Sequence, residues 1–235
     1  MEHRAVGMGG QPTFPAWSIE FSAPIADSGG FITTFLKARF DDSWLLLTST
    51  AVAGNRQLWS AWLALWQRAR NDSMRSVGQD GEFLRLIAGT HHISQGFRRA
   101  GLCDGDEGAW LVHLPSADTE EVDVLPELDL ATLEQRAQKI AADCGFTLTD
   151  VKPQPTAAGL VRLGVFVEGD PVLAELTGKA EDGDADEEAN GGSAEVSDFG
   201  EAAEGGHGGV ERDIRKEILL EDFFIGHIHT SDIHN

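Results

Sequence analysis

Residues Asp80–Pro115, DGEFLRLIAGTHHISQGFRRAGLCDGDEGAWLVHLP, constrain the fold more than any other stretch of the chain. The order of signals is helix, tight turn, second helix, stop, acidic loop and strand. Phe83, Leu84, Leu86 and Ile87 crowd one side of a short helix that Asp80 is placed to cap. Gly89 and Thr90 break it. Thr90 can then cap a second helix in which Ile93 and Phe97, four apart, share one apolar face and are expected in the core. Arg98 and Arg99 fall in the last turn, where cations suit the carbonyl end of the dipole, and Gly101 is the expected left-handed stop. The apolar run Trp110–Leu114 then enters a sheet. No nucleophile, metal cluster or phosphate loop sits in this unit, so its shape suggests a presented surface.

The flanking segments supply the layers. Met1–Pro15 lacks periodicity and reads as a flexible leader. Trp17–Phe21 alternates like a strand, Asp27–Phe40 carries Phe31, Ile32, Phe35 and Leu36 at helical spacing, and Trp44–Thr50 is a short buried strand. Asn55 is placed to cap a helix over Arg56–Met74, where Leu58, Trp62, Leu65, Trp66 and Ala69 form a wide apolar face broadened by Trp59 and Leu63. At that spacing the three tryptophans read as core rather than as base-stacking platforms. Asp129–Asp143 predicts an amphipathic helix stopped by Gly145, and Phe146, Leu148 and Val151 an edge segment. Asp170–Pro171 is a cap followed by a first helical residue.

These signals predict an α+β fold: one domain with a small mixed β-sheet layered with helices, covering 16–176. Thr177–Gly209 holds too little apolar area to offset chain entropy and is expected to be a disordered acidic insertion. Apolar content returns at Ile214–Ile225. A tail from 226 to 235 carries His227, His229, His234 and Asp232. A His-x-His pair can ligate zinc, but without a second matching cluster an exposed tail is the better reading. Cys103 and Cys144 are too few and too far apart for a disulfide framework and are expected as reduced, partly buried thiols. No apolar run approaches a membrane span and no signal peptide is recognised, so the expectation is a cytoplasmic protein without a membrane partner.

Charge narrows the partners. The chain is formally −21, and ten acids with no Lys or Arg lie between Glu181 and Glu204. Without these, 29 acids still face 18 bases. A body this acidic is ill suited to indiscriminate nucleic-acid binding. Yet between Arg56 and Arg99 seven arginines (56, 68, 70, 75, 85, 98 and 99) meet only Asp72, Asp80 and Glu82. All are Arg, which suits forked phosphate contacts and stacking on exposed bases, so the cluster points to restricted anion or RNA contact.

Gly89-Thr90-His91-His92-Ile93-Ser94-Gln95 followed by Phe97-Arg98-Arg99-Ala100-Gly101-Leu102 resembles the turn-helix of the archaeal-type kinase-binding subunit of the KEOPS complex, with His92 where the family often has Gln and Gly96 where it usually has Ala. The likeness implies a non-catalytic subunit. It would bind the complex's small atypical kinase/ATPase and recruit tRNA, by its 3′ CCA end, for threonylcarbamoylation of an adenosine beside the anticodon. It also implies that Ile218–Phe224, within 210–225, closes the sheet as a strand, and that the acidic insertion has no long counterpart. The implied tRNA contacts are Thr90, His91, His92, Ile93, Gln95, Arg98 and Arg99. Arg68, Arg70 and Arg75 join them if their helix end lies beside the Thr90 turn. For Ile93 two expectations conflict, core from its period and ligand from the family pattern. No cofactor or metal is expected. Two other readings stay open: a protein–protein adaptor without RNA, and a metal-dependent enzyme using His91, His92 and the C-terminal histidines.

Overall fold

The strand WLLLT is buried along its whole length because the sheet that holds it is covered on both faces. A computed structural model describes residues 13–116, 125–177 and 207–230. In chain order the elements are β1 (Ala16–Glu20), α1 (Ser28–Ala38), β2 (Trp44–Thr48), a 3-10 turn (Ser49–Ala51), α2 (Asn55–Arg70), α3 (Gln79–Ile87), α4 (Ile93–Ala100), β3 (Gly108–His113), α5 (Leu130–Cys144), β4 (Thr147–Thr149), α6 (Ala157–Leu163), α7 (Pro171–Thr177) and α8 (His207–Thr230). The strand order is β2-β3-β1-β4.

The fold is α+β, as expected, but every strand pair is antiparallel, so the sheet is not mixed. Alternation along each strand divides the side chains between two cores. Leu45, Leu47, Trp110 and Val112 face α2, α3, α6 and α8, whereas Trp44, Leu46, Ala109 and Leu111 face α1 and α5. Trp59, Trp62 and Trp66 are buried, as their spacing predicts. Asp27 and Asp129 cap α1 and α5 by accepting the N–H groups of Gly30 and Thr132, and Gly145 ends α5 in the left-handed region. Cys103 and Cys144 are unpaired and half-buried.

Several expectations are corrected. Residues 1–12 of the expected leader lie outside the described residues, but Phe14 is core: it packs edge-on against Trp59 at 4.7 Å. Its N–H donates to Asn55 Oδ1 at 3.1 Å, so Asn55 anchors this strand approach while Gly54 stands at the α2 N-cap. Likewise Gly78, not Asp80, precedes α3; Asp80 pairs with Arg39 at 2.8 Å and ties α3 to the end of α1. Gly101 is extended, at φ −79°, and the left-handed glycine of the motif is Gly89, at φ +55°.

The largest correction concerns the end of the chain. Ile218–Phe224 belongs to helix α8, not to a closing strand. Leu220, Phe224 and Ile228 recur every fourth residue, a helical period, and all three are buried in the α2/α3/α6 core. Of the expected insertion, 178–206 lies outside the described residues, as do Asp232 and His234; His227 and His229 sit on α8 rather than in a tail.

Candidate nucleic-acid interface

The Gly89–Leu102 turn is built from the interior outwards. Helix α3 is buried from Glu82 to Ala88, and two of its buried residues are charged. The Glu82 carboxylate accepts from Arg85 Nε (3.2 Å) and Nη2 (2.6 Å), from Arg68 Nη1 (2.7 Å), and from the backbone N–H groups of Arg75 and Ser76 (both 3.0 Å). Burial alone would raise its pKa, but the hydrogen bonds from Arg85 and Arg68 outweigh it and hold the carboxyl at about 2, below the ordinary 4.5. Arg85 Nη1 then reaches past the end of α3 to the Thr90 carbonyl at 2.6 Å.

Thr90 is buried and structural. Its Oγ1 accepts the His92 N–H (3.2 Å) and donates to Gln95 Oε1 (2.6 Å). It thus braces the turn two residues ahead of α4, whose N-cap is His92 rather than Thr90. Gln95 is half-exposed, His92 is exposed, and the His91 and His92 rings lie 3.9 Å apart.

Helix α4 packs by its small residues. Gly96 and Ala100 are buried, and a Cβ on Gly96 would lie only 3.4 Å from Arg85 Cα. Ile93 and Phe97, placed in the core by their spacing, are 40% and 49% exposed. The four-residue period is real, but the stripe flanks the contact instead of forming it, because the close approach of α3 and α4 admits nothing larger than Ala. Phe97 lines a recess of about 70 Å³ with Ile32, Phe35, Leu36, Leu84 and Leu102, with the Arg39–Asp80 pair at its edge.

The seven arginines do not form one solvent-facing island. Arg85 is inside. Arg56 pairs with Glu221 (3.3 Å) and Asp222 (3.1 Å) on α8. Arg68, a candidate RNA contact, has a side chain only 12% exposed and held by Glu82. Arg70 lies over the Trp66 ring at 4.8 Å, whereas Arg75 and Arg98 are exposed. Arg99 is half-buried against α3, its Nη1 3.4 Å from the Ala88 carbonyl, and among the described residues no carboxylate pairs with it. Burial, and then the neighbouring charge of Arg98, lowers its pKa.

Two clefts flank the last turn of α8. One, of about 450 Å³, is lined by Gly89, Arg99, Gly164, Phe223, Gly226 and His227. The other, of about 400 Å³, is lined by Gln67, Arg68, Asn71, Ser73 and His229. Arg99 and Arg68 therefore line different clefts. His227 Nε2 meets the Ala88 carbonyl at 2.9 Å, and burial pushes its pKa below the usual imidazole range. His227 and His229 line different clefts, and among the described residues no group of three or more His, Cys, Asp or Glu could hold a metal ion.

Sequence reasoning missed three supports of this surface. Arg162 binds the carbonyls of Arg99 (3.2 Å) and Gly101 (3.0 Å) and pairs with Asp106 (3.0 Å), closing the carbonyl end of α4 from α6. The acidic loop read from the sequence thus contributes an anion that anchors Arg162. Glu82 gave no signal beyond being an acid in an apolar helix. His227 was legible only if the four-residue period of α8 had been followed to Ile228. None of the described helices is long and apolar enough to cross a membrane. A scan of protein-family models finds no match to this chain, and a search of curated proteins finds none either.

Proposed function

We propose that this chain is a non-catalytic subunit of a KEOPS-type complex, working in the cytoplasm, that docks the small atypical kinase/ATPase and recruits tRNA by its 3′ CCA end for N6-threonylcarbamoyladenosine formation. The observation that carries the reading is the internally braced turn. Arg85 and Thr90 fix the backbone, and the braced residues leave His92, Ile93 and Arg98 facing solvent. A rigid turn beside exposed arginines is suited to a single-stranded end, whose unstacked bases are available for contact at about 1–3 kcal/mol each. Arg75, Arg98 and Arg99 are the phosphate contacts in this reading; Thr90, Arg68 and Arg85 position them. The exposed pair Ile93 and Phe97, continued by Leu36, suits the kinase partner.

Filter binding of intact tRNA and of tRNA lacking CCA tests the RNA half. The double variant Arg98→Glu with Arg99→Glu should weaken retention of intact tRNA at least about tenfold and reduce the salt slope by roughly two, with the fold intact by circular dichroism. Unchanged affinity would remove RNA from the function. The same exposed apolar stripe favours a second reading, an adaptor that binds protein only; capture of the kinase subunit without any salt-sensitive tRNA binding would establish that alternative.

A further inference from the structure

The cleft between the Gly89 turn, the end of α6 and α8 has chemistry that its neighbours lack. Arg99 enters it as a half-buried guanidinium with one long hydrogen bond, to the Ala88 carbonyl at 3.4 Å, and no carboxylate partner among the described residues. A guanidinium has five donors, so most of its capacity remains for a ligand. The cleft's own acid, Asp222, is bound by Arg56 at 3.1 Å, which offsets its repulsion of an incoming anion. Phe223 lines the same cleft, 37% exposed and held edge-on by Phe166 at 5.0 Å, a ring available to a flat partner.

The floor is kept low by glycine. A Cβ at Gly164 would strike the Arg99 guanidinium at 2.6 Å, and one at Gly89 would strike the His227 ring at 2.3 Å. Both glycines have positive φ, at +80° and +55°, so the open floor and the placement of Arg99 and His227 depend on the same two residues. The volume, about 450 Å³, falls in the range of small-ligand sites.

We propose that this cleft binds one nucleotide unit, a phosphate ester carrying a flat base, with Arg99 on the phosphate and Phe223 against the base. A free nucleoside monophosphate and the last nucleotide of a single strand share this chemistry. In the second form the site deepens the RNA half of the function proposed above and rests on it; in the first it does not.

Calorimetry on the full chain with AMP, adenosine, inorganic phosphate and a short single-stranded RNA with a free 3′ hydroxyl separates these sources. AMP or the RNA should bind saturably, with adenosine and phosphate each at least about tenfold weaker. Gly226→Phe fills the cleft from α8, where an added Cβ meets no atom within 4 Å, so the variant should fold and lose AMP and RNA binding by at least about tenfold. Arg99→Gln should lose the preference for AMP over adenosine. Equal AMP affinity in Gly226→Phe and the parent chain overturns the site, as does phosphate binding as tightly as AMP. Retention of tRNA by a chain that binds no AMP and no short RNA overturns the cleft but leaves the RNA reading standing. AMP binding blocked by Gly226→Phe, in a chain that does not retain tRNA, supports the cleft and removes that reading.

Discussion

Helices α3 and α4 are neighbours in sequence and in space, and they invert one another. Helix α3 buries an ion pair among its apolar residues, whereas α4 buries a glycine and an alanine and leaves its isoleucine and phenylalanine outside. The contrast separates two jobs. Glu82 and Arg85 act as an internal bracket that fixes where the turn stands, and α4, pressed close through Gly96, presents side chains that the core does not need. An apolar stripe on a helix therefore does not by itself identify the packed face; the size of the gap to its neighbour does.

The contrast breaks most severely at Glu82. Glu82→Leu leaves Arg85 and Arg68 without their shared carboxylate and should cost about 3–5 kcal/mol in urea denaturation. A loss under about 1 kcal/mol would mean that the bracket is incidental. Acid tests the same bracket without mutation. Because the Glu82 pKa is lowered from 4.5 to about 2, its stabilisation is complete above the unfolded value and disappears as pH falls from 4.5 towards 2. His113 acts earlier: burial lowers its pKa from 6.5 to about 4, so the folded state resists a proton that the unfolded chain accepts, and stability should decline from pH 6.5 to 4. Melting temperatures across this range should show two successive descents, and a flat profile down to pH 4 would contradict the burial of His113.

A smaller effect is expected where the helices touch. Gly96→Leu should cost about 1–3 kcal/mol by forcing α4 away from Arg85, while Gly96→Ala, at ordinary contact distance, should be tolerated. The smallest change in stability belongs to the outer stripe. Ile93→Ser with Phe97→Ser should alter denaturation by no more than about 0.5 kcal/mol per site yet abolish capture of the kinase subunit in a pull-down. A large drop in stability there would return the stripe to the core and remove the contrast.

Much of this organisation was legible in the chain. Strands β1 to β4, helices α1, α5 and α7, and the Gly145 stop of α5 were found from alternation, period and turn chemistry. What was not legible depended on distance. Asn55 and Asp80 look like caps locally, but Phe14 and Arg39 claim their side chains from 41 residues away. The turn-helix was located correctly, but nothing in its spacing told that Ile93 and Phe97 face outward, because that depends on Gly96 against Arg85. Of the candidate contacts, His92, Ile93, Arg70, Arg75 and Arg98 reach solvent, whereas Thr90 and Arg68 are taken up by internal bonds. Helix α8 was mistaken for a strand because a family likeness was followed where Leu220, Phe224 and Ile228 already spelled a helical period.

The docking of α8 onto α2 has a kinetic consequence. Arg56 meets Glu221 across 165 residues of sequence and Phe14 reaches Asn55 from the other side, so the pocket around Leu58 and Trp59 is walled by segments from both extremes of the described chain. Loop closure over such separations is slow. The tryptophan-rich flank of α2 is then expected to be covered late in folding, so the order in which the chain is assembled bears on solubility as well as speed.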